Sequence, residues 1–160
     1  MESVDRGGTG GRAPSDLRSA TLPLSGDGSC IAEARHHAAV FLARARTERH
    51  VTVSARAIDL TQLVVSELVT NASKYAPGPL RLDLRIADAT VEVAVQDSVP
   101  VRPAARPADP QRIGQHGLEI VMAVAEHFHI HLQPSGKRVT AHIALTDQPA
   151  KRSGPSCGPR

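Results

Sequence analysis

Aromatic side chains are nearly absent from this sequence. Tryptophan does not occur, and the three aromatic residues, Phe41, Tyr75 and Phe128, make up 2% of the 160 residues. Proteins that recognise single-stranded nucleic acid stack its bases on aromatic rings, so the sequence offers no platform for that mode of binding. The net charge of +3 would suit nucleic acid, but much of the basic excess lies in the two terminal segments. We therefore expect no nucleic-acid partner.

Cysteine and long apolar runs are also scarce. Cys30 and Cys157 could form one pair at most, which is not the framework of a disulfide-stabilised secreted domain. No apolar run approaches the roughly 18 residues that a membrane span needs. The glycine-rich beginning of the chain lacks the apolar centre of a signal peptide. These absences predict a protein of the reducing cytoplasm with no membrane segment.

The middle of the chain differs in composition from its two ends. Residues 1–20 and 147–160 are polar and rich in glycine and proline, which predicts two disordered tails around one domain over residues 21–146. Hydrophobic periodicity within the domain predicts helices over about 31–46, 54–75 and 118–126. Alternation predicts strands in the segments LRLDLRI, TVEVAVQD, HFHIHLQP and RVTAHIAL, with ATLPLSG as a short edge strand. This order predicts an α+β fold, with helices on one face of a mainly antiparallel sheet.

A proline-rich segment over residues 99–115 interrupts the order of helices and strands. It contains four prolines and no hydrophobic periodicity. Connections of this length are usually functional lids or disordered segments. We expect the segment to be poorly ordered when the protein holds no ligand.

The stretch SELVTNASKYA places three polar side chains on one face of the second predicted helix. Glu67, Asn71 and Lys74 stand at positions i, i+4 and i+7. A carboxylate can deprotonate a hydroxyl group, an amide oxygen suits Mg²⁺, and an ammonium attracts phosphate. A solvated helix face with an ordinary charge pair would have the same pattern, and the helix by itself favours that interpretation.

Two further candidate sites lie at the ends of regular elements. Asp97 ends a strand, where a buried acid could accept a hydrogen bond from an exocyclic amine such as N6 of adenine, or could cap its own backbone in a turn. Gly114 and Gly117 precede the third predicted helix, whose free N–H groups could cradle phosphate; the alternative is a flexible loop with a glycine near the cap. In order and spacing, the three sites supply what the parts of Mg²⁺–ATP need.

Three segments carry a resemblance to a known family. In this order, SELVTNASKYA, VAVQDSVPVRP and GQHGLEIV resemble the N, G1 and G2 boxes of the histidine-kinase-like ATPase family, and more narrowly its small stand-alone actinobacterial regulators of the anti-sigma-factor type. The resemblance covers about residues 22–145 and implies a two-layer α/β sandwich of the Bergerat type that binds ATP and Mg²⁺. The sequence departs from the familiar G1 form, Asp-x-Gly-x-Gly, at DSVPV.

The resemblance also implies a role for each matching residue. Glu67 would be the general base, Asn71 the Mg²⁺ ligand, and Asp97 the acceptor for the adenine amine. The other implied nucleotide-binding positions are Lys74, Gly114, Gly117 and the N–H of Leu118.

The implied function is that of an ATP-binding regulator with protein partners. It would be an anti-sigma factor with serine/threonine kinase activity, phosphorylating an antagonist protein and sequestering a sigma factor. Relatives of this kind often pair, so a homodimer is one expected state. The alternative is a non-catalytic regulator that uses the same fold to hold a protein partner, with weak or no nucleotide binding, and the departure at DSVPV favours it.

The stretch HFHIHL offers a separate candidate for a metal site. Its three histidines alternate with apolar residues, so a strand would place all three on one face, where they could bind a transition metal. No cysteine or acid joins the row. The preferred interpretation is that the histidines form the solvent-exposed face of the strand and that the apolar residues, including Leu132, form its buried face.

Overall fold

The computed structural model describes residues 18–100 and 115–147. The proline-rich segment and both predicted tails fall largely outside these residues. The elements in chain order are β1 Ser19–Leu24, α1 Cys30–Glu48, α2 Ala55–Tyr75, β2 Leu80–Ala87, β3 Thr90–Asp97, α3 Gln115–Val124, β4 His127–Gln133 and β5 Gly136–Ala144.

The five strands form one antiparallel sheet in the order β1-β2-β3-β5-β4. A tight turn at Asp88 and Ala89 joins β2 to β3, and Ala87 pairs with Thr90 across it. Asp88 has a φ of 56°, a left-handed conformation that aspartate tolerates better than most residues. The predicted α+β class, with an antiparallel sheet, is confirmed.

The three helices form a single layer on one face of the sheet. α2 lies in the middle, because it packs against both α1 and α3 and contacts β2, β3 and β5. Alternate residues of the strands point into this layer and are buried. These inward side chains are mainly Leu82, Leu84, Val91, Val93, Val95, Val139, Ala141 and Ile143. Branched aliphatic residues therefore build the core, as the scarcity of aromatics requires.

Local cap chemistry fixes where the helices begin and end. Ser54 Oγ accepts a hydrogen bond of 2.9 Å from the N–H of Ala57 at the start of α2. Ahead of α1, the carboxylate of Asp27 accepts hydrogen bonds of 2.9 Å from the N–H and 2.6 Å from the hydroxyl of Ser29. α2 ends at Tyr75, just before Pro77, which cannot continue a helix.

Some predicted features differ from the structure. β1 begins at Ser19, two residues before the predicted domain boundary. α3 begins at Gln115 rather than at Leu118, so Gly117 is the third residue of the helix instead of a residue before it. Leu132 was predicted to be buried but is 55% exposed, because β4 lies at the edge of the sheet.

Neither a membrane span nor a disulfide appears among the residues described. No helix there is long and apolar enough to cross a membrane. Cys30 is a buried free thiol. Its only potential partner in the sequence, Cys157, lies outside the described residues.

Candidate functional site

Three residues of α2 have a buried polar side-chain atom that no described residue pairs with, and Asn71 is more buried than the other two, Ser66 and Ser73. Asn71 is 4% exposed, and its side-chain oxygen Oδ1 has no hydrogen-bond partner among the residues that the structure describes. Buried polar atoms in folded proteins almost always have a partner, since an unpaired one loses its hydration without compensation. The solvated-face interpretation therefore fails for Asn71. A buried oxygen left open in this way is suited to a ligand.

Glu67 lies one turn before Asn71, against the beginning of α3. Glu67 is half-buried. A methyl group added at Gly117 would stand 2.7 Å from Glu67 Oε1, so the glycine leaves the space that the carboxylate occupies. The N–H groups of the N-cap residue and of the first three residues of a helix have no partner within the helix, and in α3 these include the N–H of Gly117. Leu118 is the fourth residue of α3 and lies beyond this set. The structure thus brings the acid of α2 beside the free N–H groups of α3.

Lys74 has a different environment from the other two residues of the stripe. It is exposed, and its Nζ lies 5.6 Å from the centre of the Tyr75 ring. The stripe is therefore graded, from buried Asn71 through half-buried Glu67 to exposed Lys74. The ammonium of Lys74 is free to move toward an anionic ligand, because an exposed lysine side chain is long and flexible.

Asp97 ends β3 in a buried position. It is 3% exposed, and its Oδ1 accepts hydrogen bonds from the N–H of Val99 at 3.1 Å and from the N–H of Lys137 at 3.0 Å. The bond from Val99 is the backbone-capping turn that the sequence offered as an alternative. The bond from Lys137 ties the carboxylate to β5. Neither donor reaches the second oxygen, Oδ2.

Gly136 allows β5 to approach Asp97 closely. Its φ is 150°, a conformation that disfavours side chains, and an added Cβ would stand 2.1 Å from the carbonyl oxygen of Asp97. Neither Gly136 nor Lys137 is among the site residues predicted from the sequence. A signal was present for Lys137, since it takes an inward position on a strand whose other inward residues, from Val139 onward, are apolar.

Of the predicted glycines, Gly114 lies outside the described residues. The structure therefore places Glu67, Asn71, Lys74, Asp97, Gly117 and Leu118. Glu67 of α2 and Gly117 of α3 lie next to each other. Asp97 is hydrogen-bonded to β5, a contact that was not predicted from the sequence.

The opposite face of the sheet carries a network of ion pairs. Asp83 accepts hydrogen bonds from Arg138 at 2.8 Å, Thr21 at 2.9 Å and Arg81 at 3.2 Å. Burial raises the pKa of Asp83, but the hydrogen bonds from Arg138 and Thr21, together with the charges of Arg81 and Arg138, outweigh it and hold the pKa below its usual value. This carboxylate is fully engaged by its neighbours.

The histidines of β4 lie on the same outer face. His127 and His129 stand edge-on to His142 of β5, with ring centres 5.7 and 5.8 Å apart. Burial lowers the pKa of His142, although Glu92, whose carboxylate is 3.6 Å away, acts in the opposite direction. No group of three or more His, Cys, Asp or Glu side chains in the described part of the chain is arranged to hold a metal ion.

Comparison with known proteins identifies the family. Residues 30–143 match the model of the histidine kinase-like ATPase domain. The chain belongs to the histidine kinase-like ATPase family. The resemblance drawn from the three sequence boxes is thereby confirmed at the level of the family. A search among curated protein sequences gave no match.

Two solved structures are similar to this chain to different degrees. The chain is similar to the RsbU and RsbW domains of Rv1364c from Mycobacterium tuberculosis, with a TM-score of 0.59 and 19% identity over 79% of this chain and 32% of that one. It is also similar to the Acinetobacter baumannii histidine kinase AdeS, with a TM-score of 0.47 and 14% identity over 84% of this chain and 72% of that one. This chain spans about a third of the Mycobacterium chain, and its likeness to that structure, at 19% identity, shows the fold alone.

Proposed function

We propose that this histidine kinase-like ATPase domain binds ATP together with Mg²⁺ at the site formed by α2, the start of α3 and Asp97. The observation that carries the proposal is the buried, unpartnered Oδ1 of Asn71. A neutral amide oxygen is a hard ligand of the kind that Mg²⁺ accepts. Bound there, the ion would give Asn71 its missing partner and neutralise charge on the phosphates.

The other described residues fit a nucleotide in the same site. Asp97 presents Oδ2, which neither backbone donor occupies, to the exocyclic amine of adenine. The free N–H groups at the start of α3, that of Gly117 among them, suit phosphate oxygens, because a helix start carries unpaired donors and a partial positive charge. Lys74 is exposed and able to add a positive charge.

We further propose that the protein is a serine/threonine kinase and an anti-sigma factor. Glu67 supports the kinase activity, because its half-buried carboxylate lies beside the proposed phosphate cradle. In that position it can accept the proton of a serine or threonine hydroxyl as the oxygen attacks the γ-phosphorus and the bond to the departing ADP breaks. The proposed substrate is an anti-sigma-factor antagonist, and the proposed second partner is a sigma factor. The setting we propose is the cytoplasm, with a homodimer as one expected state.

A second candidate function is protein binding without catalysis. The segment after Asp97 reads SVPV and has no glycine. Glycines at such positions let the backbone approach a ligand closely, so their lack favours a site that binds nucleotide weakly or not at all. In this version the same fold would hold a protein partner without phosphate transfer.

Two measurements test these proposals in sequence. Calorimetry with ATP, in the presence and absence of Mg²⁺, should show binding that depends on the ion. Labelled ATP should then transfer its γ-phosphate to a serine or threonine of an anti-sigma-factor antagonist from the same genome. Binding without transfer to any such protein would support the non-catalytic alternative. Absence of ATP binding would overturn the proposed site itself.

A further inference from the structure

Lys137 occupies a position on β5 where the strand otherwise carries apolar side chains. Alternation along the strand places Lys137 on the same side as Val139, Ala141 and Ile143, which face the helices and are buried. Lys137 itself is half-buried. Burial lowers the pKa of its ammonium group, and the nearby carboxylate of Asp97 partly opposes that change. A lysine on the inner side of a sheet loses part of its hydration, which lowers the stability of the folded protein.

The strand register sets Lys137 beside Asp97. Gln96 pairs with Arg138 and Val95 with Val139, so the next step of the ladder brings Asp97 opposite Lys137. The hydrogen bond of 3.0 Å from the Lys137 N–H to Asp97 Oδ1 confirms this proximity. Residues opposed in this way have their Cβ atoms about 5 Å apart. No ion pair joins the two side chains, both of which the structure describes. A carboxylate acceptor and an ammonium donor therefore lie near each other without forming an ion pair.

We propose that Lys137 is a base-reading residue that donates a hydrogen bond to N1 of adenine while Asp97 accepts one from the N6 amine. The proposal rests on the proposed function, since it assumes that ATP occupies this site. On the Watson–Crick edge of adenine, the N6 amine is a donor and the adjacent N1 is an acceptor. Guanine carries an acceptor at position 6 and a donor at N1. The Asp97–Lys137 pair in this order matches adenine and opposes guanine, whereas a carboxylate alone accepts from either base.

The test compares ATP with 1-deaza-ATP, in which a C–H group replaces N1. Calorimetry on the full chain with Mg²⁺ should show that the unaltered protein binds 1-deaza-ATP about tenfold or more weakly than ATP, the usual scale for a hydrogen bond from a charged group. Lys137→Met keeps the length of the side chain but cannot donate. It should bind ATP about tenfold or more weakly than the unaltered protein, and it should bind both nucleotides equally.

Two further variants make the result specific. Lys137→Arg retains a donor and should retain the preference for ATP over 1-deaza-ATP. Arg81→Met removes one positive charge from the outer face of the sheet and should leave both affinities unchanged, which separates a local hydrogen bond from a general loss of charge.

Each outcome of this comparison decides the proposal. If the unaltered protein binds the two nucleotides equally, or if Lys137→Met keeps the preference for ATP, Lys137 does not read N1 and the proposal is overturned. The preference of the unaltered protein is measurable even if the Lys137→Met variant does not fold, and Lys137→Arg then supplies the second comparison. If the unaltered protein binds neither nucleotide, the proposed function fails first, and this result is distinct from a failure of Lys137 alone.

Discussion

Asp83 on the outer face of the sheet differs from Asn71 and Lys137 on the helix side in whether neighbouring residues supply partners for its polar group. On the outer face, the carboxylate of Asp83 has three hydrogen-bond donors around it, from Arg138, Thr21 and Arg81. On the inner side, Asn71 Oδ1 is buried with no donor from the described residues, and the ammonium of Lys137 forms no ion pair with its neighbour Asp97. All three side chains are partly or wholly removed from water, but among the described residues only Asp83 is surrounded by hydrogen-bond donors.

This difference separates polar groups that stabilise the fold from polar groups that are open to a ligand. A buried group without a partner costs stability, so its persistence indicates a role that the folded chain alone does not fulfil. The outer network predicts effects on stability without effects on binding. Loss of the inner polar groups, Asn71 and Lys137, is expected to weaken ligand binding without lowering stability.

The largest expected effect is that of Glu67→Gln on phosphate transfer. The amide keeps the shape of the side chain against Gly117 but cannot accept the proton of the attacking hydroxyl. We expect transfer to slow by roughly 10²-fold or more, the scale of general acid–base catalysis, with ATP affinity unchanged within a few-fold. Single-turnover transfer from labelled ATP measures the rate. An unchanged rate would remove Glu67 from the mechanism.

Gly136→Ala should strongly affect stability at the inner site. The new methyl group would stand 2.1 Å from the carbonyl oxygen of Asp97, at a φ of 150°. We expect the free energy of unfolding to fall by about 1–3 kcal/mol and ATP binding to weaken, because the end of β3 must move. Gly28→Ala is the matched control, since nothing lies within 4 Å of its added Cβ. Urea unfolding of both variants gives the comparison, and equal stabilities would contradict it.

Asp83→Ala on the outer face should have the smallest effect, and on stability alone. Loss of the hydrogen bonds to Arg138 and Thr21 should lower the free energy of unfolding by about 1 kcal/mol. ATP affinity should stay the same, because the residue lies on the side of the sheet away from the helices. A variant that loses ATP binding while remaining folded would break the separation of the two faces.

Local patterns in the sequence were sufficient for most of the fold. The cap at Ser54 and the stop at Pro77 define α2, and the alternation of LRLDLRI and TVEVAVQD defines the β2–β3 hairpin. Such features depend on neighbours within a few residues. The stripe of Glu67, Asn71 and Lys74 follows in the same way from the helical repeat.

The relations between distant segments could not be read from the sequence. Asp97 and Lys137 are 40 residues apart and meet because of the register of β3 with β5. Gly117 lies inside α3 because the helix starts earlier than its apolar pattern suggests, and its contact with Glu67 depends on how two helices pack. The burial of Asn71 also depends on this packing, since an isolated helix would leave its side chain in water.

The most direct test of the account is the effect of Asn71→Ala on Mg²⁺–ATP affinity and stability together. The change removes the open oxygen, and alanine is the better helix former. Thr70→Ala, at the exposed neighbouring position on α2, is the control. We predict that ATP affinity in the presence of Mg²⁺ falls at least tenfold in Asn71→Ala alone, while its melting temperature holds or rises slightly. An unchanged affinity, or a loss of stability of about 1–3 kcal/mol such as a hydrogen-bonded structural amide would give, would contradict the account.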